Sequence, residues 1–430
     1  MQNRRTFIAK IGAAACTLAT PWTAYTQQLN DGRAAGTSRV PKLKITEVRA
    51  VELDGIGANS KFVRVYTDQG LTGTGEMVDN IGAAQLINEH LGPSIVGRDP
   101  LDVEAIYFHF WGWGEVPRAT WPVFMRGSGG GPYLSAVSGI DIALWDLAGK
   151  ALGVPVYRLL GGKVRDKIPV YFWGPGDPEE TRILIRDKHA RAFKMGIDSI
   201  TERGDPGQKL DPEKRSHWTI TNPEIDEIVE RVNAARELIG PKVELALECH
   251  TRYNTETAIQ IGRAVAPARP MWFEEPVPSD NLDAMALVRR SIPVPVACGE
   301  NIYTRYGFRD VVEKQAAAII QPDMTKCGGL LETRKIASLA ETYHIPIAPH
   351  GTASPLGGMA YAQVCATVPN FLILEFGHLL RERSKPLRSL MRNLPVYEDG
   401  FVHLTETPGI GIELNDDAIR EHLRTGFRWA

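Results

Sequence analysis

Alternation of apolar and polar residues marks the first ordered part of the chain. LKITEVRAVEL (43–53) and KFVRVYTDQGLTGTGE (61–76) change sides at every second residue around an Asp68-Gln69-Gly70 turn, which predicts antiparallel strands buried on one face. The period then lengthens to that of a helix from Ala83 to Leu91. It does so again from Ser135 to Lys150, where Gly153-Val154-Pro155 supplies the stop. These elements predict a small α+β domain over residues 42–165.

From about Ile168 the pattern changes. Short apolar runs recur, each ending in an ionisable residue and followed by a helical stretch: VELAL before Glu248, MWF before Glu274, VPVACG before Glu300, AAIIQP before Asp323, IPIAP before His350 and FLIL before Glu375. Successive steps are 26, 26, 23, 27 and 25 residues, a near-constant period that fits one strand plus one helix per unit. With an earlier unit ending near Arg203, the array almost closes a (β/α)8-type barrel over residues 166–385. In a barrel the C-terminal strand ends converge on one rim, so this spacing gathers all six ionisable residues at a single mouth. An open doubly wound sheet fits less well. The glycines at 129–131 precede a helix but follow no clear strand, so they make no phosphate-binding fingerprint.

Composition narrows the classes further. Lys plus Arg number 49 against 51 Asp plus Glu, a formal charge of −2 that argues against a nucleic-acid partner. Beyond the first 30 residues no apolar run approaches the roughly 18 needed to span a bilayer. The five cysteines are too few and scattered for a disulfide framework, and Cys249, Cys298 and Cys327 read as small packing residues. At the start, Arg4-Arg5 followed by IGAAACTLAT and small residues matches a twin-arginine export signal with a linker through residue 41. That predicts a periplasmic location, or a cytoplasmic one if these residues are only a frayed terminus. Cys16, after Ala13-Ala14-Ala15, makes a poor lipidation site.

Three carboxylates on adjacent strand ends repel one another unless a cation neutralises them, and an all-oxygen set selects Mg²⁺ or a similar hard ion. The bland reading, separate pairing of each acid with Lys or Arg, fits three evenly spaced acids poorly. On the next two strand ends, Asp323 can fix the tautomer of His350 and raise its basicity, which makes His350 a candidate general base. Glu375 is placed to hydrogen-bond a developing enediolate if protonated, or a substrate hydroxyl if ionised. A metal clamp beside a His/Asp base suits removal of the proton α to a carboxylate, the logic of enolase-type sites.

Glu274-Glu275-Pro276 after Trp272-Phe273, Gly299-Glu300-Asn301, Gln321-Pro322-Asp323 with Gly328-Gly329, and Ala348-Pro349-His350-Gly351 together resemble the mandelate racemase branch of the enolase superfamily. The helix motif from Gly139 to Asp146, with Gly161-Gly162, resembles that family's junction between cap and barrel. The resemblance spans about residues 42–415. It implies a modified (β/α)7β TIM-like barrel under an α+β cap that residues 386–430 complete, and a homo-oligomer. It also implies Glu248, Glu274 and Glu300 as Mg²⁺ ligands, with the first of the tandem glutamates chosen, and Asp323–His350 as catalytic dyad. Glu248-Cys249-His250 is similar to the acid-sugar (galactonate-type) dehydratases, in which a histidine two positions past the first ligand faces substrate. Positions i and i+2 point the same way in a strand, so His250 can reach the mouth and protonate a departing β-hydroxyl.

Two departures from the family pattern bear on the reaction. Glu248 stands where Asp is usual. Aligning Gly196-Ile197-Asp198-Ser199-Ile200 with the family's second strand places Thr201 and Arg203 where many relatives carry Lys-x-Lys, and Arg holds its proton too tightly for easy turnover. Arg203 and Thr201 then read as substrate-binding, as does Trp173 near the first barrel strand. The aromatic segment from Phe108 to Trp121 reads equally as a lid, an oligomer contact or cap core. The expectation is a Mg²⁺-dependent hydro-lyase that turns an aldonic or related sugar acid into a 2-keto-3-deoxy acid. An epimerase, racemase or cycloisomerase working through the same enediolate is the alternative, and a sugar-acid binding protein without catalysis is a third.

Overall fold

The computed structural model describes residues 40–56, 61–78, 81–111, 130–197, 218–351 and 353–429. The twin-arginine segment, Cys16, Thr201, Arg203 and the 112–121 part of the aromatic segment lie outside the described residues.

Strands β1 (Ile45–Glu52), β2 (Lys61–Thr67) and β3 (Thr72–Met77) form an antiparallel meander in that order. Its inner face packs on the helix Gly131–Leu152. The approach is close: a Cβ on Gly75 would lie 2.1 Å from the Gly139 carbonyl oxygen, so only glycine fits there. The helix ends at Gly153, whose φ of 68° is the left-handed conformation of a C-terminal cap.

Two aspartates of this helix explain its motif. Asp146 accepts from the backbone N–H of Thr74 and of Ile410 at 2.9 Å each, tying the meander and the C-terminal segment together. Asp141 Oδ2 accepts from Leu330 N at 2.6 Å and Leu331 N at 3.3 Å, at the start of the barrel helix Gly329–Glu341. Burial raises the Asp141 carboxyl from 3.8 to about 7, despite those two bonds. A folded-state value above the unfolded one means that the native state holds a proton the unfolded chain has released. Stability therefore falls as pH rises from about 4 to 7 and levels off above. Asp141→Asn keeps an acceptor for the helix and removes this slope. Its Tm relative to the parent is expected to improve between pH 5 and pH 8, by scanning calorimetry at both values.

The second sheet begins with β4 (Lys167–Trp173) and runs through β5 (Ala192–Gly196), β6 (Glu244–Glu248), β7 (Trp272–Glu274), β8 (Val296–Cys298) and β9 (Ile319–Ile320), all parallel. A bridge from Ile320 to Ile347, another from Ile347 to Phe371, and pairing of β10 (Leu374–Glu375) with β4 complete the ring. Helices Pro178–Lys188, Asn222–Ile239, Thr255–Ala264, Leu282–Ser291, Thr304–Glu313, Gly329–Glu341 and Pro355–Thr367 follow the first seven staves. The eighth, β10, is followed by short 3₁₀ turns instead, which is the (β/α)7β arrangement. Helix starts carry the expected caps, including a Thr221–Glu224 capping box and side-chain caps from Asp177, Asn254, Asn281 and Ser354.

Strand alternation decides what enters the barrel. Ala192, Ala246, Ala297 and Ala348 point inward and leave room for Trp272 and Tyr171, whose rings meet edge to face at 5.5 Å. This packed layer is the floor beneath the mouth. The C-terminal segment divides its contacts: β11 (Tyr397–Glu398) and β12 (Phe401–His403) make a hairpin whose second strand runs antiparallel to β4. Farther on it returns to the meander, where Arg424 pairs with Glu52 and Asp416 with Arg64 at 2.7 Å each.

Candidate active site

Glu248 and Glu274 are paired neighbours at the ends of β6 and β7, and Glu300 follows β8. One oxygen from each carboxylate lies within 4.8 Å of the others, and the first two side chains are wholly buried. Glu274 Oε2 accepts from Trp272 Nε1 at 2.8 Å and Gln321 Nε2 at 2.7 Å. Glu275 turns away from this cluster, accepting from Gly299 N and Asn301 Nδ2. The first of the tandem glutamates is thus the one that joins the cluster.

Glu248 folds back so that its Oε1 accepts from His250 N at 2.8 Å, which absorbs the extra methylene relative to Asp. Its Oε2 is buried without an aligned hydrogen bond, although Lys194 Nζ is 3.2 Å away. Burial and the Glu274 charge push the Glu248 carboxyl well above the usual range. Burial opposes the Glu274 charge, but Lys194 together with the hydrogen bonds that Glu274 receives holds its carboxyl below that range. Three carboxylates share one lysine here, and the orphaned oxygen is a coordination position that the protein leaves open. A hard divalent cation fits this donor set.

His350 Nδ1 lies 2.7 Å from Asp323 Oδ2, and its Nε2 is 3.0 Å from Glu300 Oε2 and 4.0 Å from Glu375 Oε2. Burial opposes the imidazolium, but Glu300 and the bond to Asp323 carry the imidazole well above the usual histidine range. Asp323 is fixed in turn: its Oδ1 accepts from Thr325 N (2.9 Å), Thr325 Oγ1 (2.6 Å) and Tyr361 Oη (2.7 Å). Glu375 Oε2 accepts from Tyr171 Oη at 3.0 Å and from Lys194 Nζ and Gly351 N at 3.2 Å each. It stands in the cluster as an acceptor.

His250 reaches the mouth by a route other than strand alternation. The strand ends at Glu248, and His250 takes a φ of 45° that swings its ring to 5.8 Å from that of Trp173. Both expected residues therefore share one wall, with Lys194 Nζ 5.6 Å from the Trp173 ring.

The second strand adds a group that the alignment above did not consider. The inward positions of β5 are Ala192, Lys194 and Gly196; residues 201 and 203 lie outside the described residues. Lys194 pairs across to Ala246, one level below Glu248, and its long stem reaches up to the carboxylates, 2.9 Å from Glu274 Oε1. Gly196, level with Glu248, leaves space beside it. Lys194 is thus a titratable group facing the mouth from this strand. Tyr361 and Thr325 support the dyad without any signal in the sequence pattern, whereas Gln321 stands in the Gln-Pro-Asp motif. Cys249, Cys298, Cys327 and Cys365 are buried and form no disulfide, as packing residues are.

Comparison with known proteins agrees with this geometry. Residues 179–418 match the family described as enolase C-terminal domain-like, and residues 57–161 match the mandelate racemase / muconate lactonizing enzyme N-terminal domain. A D-xylonate dehydratase of Haloferax volcanii is 38% identical over 389 residues, covering 89% of this chain and 90% of that protein. A D-galactonate dehydratase of Variovorax paradoxus is 33% identical over 374 residues, covering 86% and 92%. Among solved structures, a mandelate racemase/muconate lactonizing enzyme-like protein from Rubrobacter xylanophilus superposes with a TM-score of 0.79 at 36% identity, covering 90% of this chain and 99% of that one. A member of the enolase superfamily from Salmonella Typhimurium gives 0.77 at 29% identity, covering 88% and 98%. The chain belongs to the mandelate racemase branch of the enolase superfamily.

Proposed function

We propose that this enzyme is a Mg²⁺-dependent dehydratase of an aldonic or related sugar acid, giving a 2-keto-3-deoxy acid. The observation that carries the reading is His350, held by Asp323 on one nitrogen and facing the carboxylate cluster with the other. Glu248, Glu274 and Glu300 would hold the metal, which when bound supplies Lewis-acid stabilisation to a substrate carboxylate as charge develops on it. With Glu300 engaged as a metal ligand it would no longer favour the imidazolium, and neutral His350 takes the proton from C2 at Nε2, with Asp323 fixing the ring. Glu375, beside it, receives a substrate hydroxyl. His250, against Trp173, donates a proton to the 3-hydroxyl so that it departs as water rather than hydroxide. The names of the relatives support dehydration, and D-xylonate and D-galactonate are the first substrates to test.

Purified protein with Mg²⁺, incubated with a panel of aldonic and aldaric acids, is expected to yield 2-keto acid from at least one of them. No 2-keto acid from any member would remove the proposal. Within it, His250→Asn is expected to lower kcat about 10²-fold on the poor hydroxide leaving group. Much less loss should appear with a 3-fluoro analogue, whose leaving group needs no proton. Epimerisation is the second reading, favoured by Lys194 as a second titratable group in the mouth. Its full engagement with Glu248, Glu274 and Glu375 weighs against it.

A further inference from the structure

Glu76 is a carboxylate with no exposure, on the third strand of the capping domain and outside the catalytic cluster. Its Oε1 accepts from Ser354 N at 2.7 Å, and its Oε2 from Ser354 Oγ at 2.5 Å and Gly357 N at 2.9 Å. These donors are the cap and first turn of the barrel helix Pro355–Thr367, so a carboxyl group sits at the positive end of a 13-residue helix. Gly357 sits in a close approach: a Cβ there would come within 2.5 Å of Ala353 Cβ and 2.8 Å of Glu76 Oε2.

That helix touches the dyad at two points. It begins just after the segment carrying His350, and its Tyr361 donates to Asp323 Oδ1 at 2.7 Å. Gly351, next to His350, donates to Glu375 and packs against the Tyr361 ring, 3.1 Å from where its Cβ would be. A shift of the helix start therefore displaces both partners of the dyad together. Asp141 holds the start of the preceding barrel helix in the same way, and Glu76 grips the start of the helix that bears Tyr361.

We infer that Glu76 is a positioning residue for catalysis: through the Pro355–Thr367 helix and Tyr361, docking of the capping domain sets the geometry of Asp323 and His350. This rests on His350 acting as the base. Gln at position 76 keeps the shape but puts an N–H₂ where one carboxylate oxygen stood, so that in either orientation the backbone N–H of Ser354 or of Gly357 loses its acceptor in a buried place. Glu76→Gln is expected to lower kcat by at least tenfold with KM within twofold of the parent. Ser354→Ala, which removes one donor and leaves the carboxylate, should lower kcat a few-fold in the same sense, and Glu76→Asp should recover part of the loss.

A readout independent of turnover is the low-field proton resonance of His350 Nδ1–H, assigned by its absence in His350→Asn, recorded on protein with and without Mg²⁺. In Glu76→Gln and in Ser354→Ala it should shift or broaden while the far-UV dichroism stays that of the parent. An unmoved resonance, with kcat per folded molecule within twofold of the parent in both variants, overturns the inference. If Glu76→Gln fails to fold, Ser354→Ala carries the same test. If the parent dehydrates no sugar acid, the proposed function fails, while the resonance still reports on the Glu76 linkage.

Discussion

His350→Asn is expected to reduce kcat by about 10³- to 10⁴-fold, the upper part of the range for a positioned general base. The reason is specific. No other histidine of the described residues sits on both Asp323 and the carboxylate cluster. The fold should survive, because Asp323 retains three donors from Thr325 and Tyr361 when the imidazole is gone. Substrate affinity should change little, since asparagine leaves the cluster, Trp173 and His250 in place. Single-turnover kinetics on D-xylonate or D-galactonate checks this: the loss should fall on the chemical step, and isotope exchange at C2 should disappear with it.

Glu248→Gln is expected to separate metal binding from stability. Within the Glu248, Glu274 and Glu300 cluster, Lys194 pairs with the first two and His350 with the third, and the Glu248 Oε2 atom is buried without an aligned hydrogen bond. Removing that charge should lower Mg²⁺ affinity by about 100-fold or more and kcat by roughly 10³-fold, a loss of several kcal/mol of transition-state stabilisation. The same change should raise the Tm of the metal-free protein at neutral pH, because folding no longer has to keep this buried carboxyl protonated. Titration of Mg²⁺ against Tm makes the contrast visible. At a hundredfold excess over Kd the parent should gain about 2.7 kcal/mol, and the variant about 0.4 kcal/mol or less at the same concentration.

The barrel was legible because each unit ends in an ionisable residue that apolar strands do not otherwise carry, so the near-constant step between Glu248 and Glu375 showed through a single sequence. The mouth residues followed from the same regularity. Lys194 did not. It lies inside Ala-Phe-Lys-Met-Gly, where the strand is short and the register can be read only from its pairing with β6. The signal was there in a lysine flanked by Phe193 and Met195, since a lone cation in an apolar run must point at something that pays for its burial. Tyr361 was hidden for another reason. The helix Pro355–Thr367 is buried on all sides, so no amphipathic stripe shows which face meets the barrel. Glu76 likewise reads as an ordinary strand residue until the helix it caps is in place. His250 was placed in the mouth on strand alternation, whereas the chain reaches it through a left-handed turn that only Glu248 Oε1 and the backbone explain.

Reaction in D₂O with Mg²⁺, followed by NMR on a sugar acid that turns over, tests the central claim most directly. The account predicts a 2-keto-3-deoxy acid carrying deuterium at C3, formed by the parent and absent with His350→Asn. Deuterium at C2 of recovered sugar acid, with no keto acid formed, would contradict it and assign the site to epimerisation with Lys194 as the second acid/base.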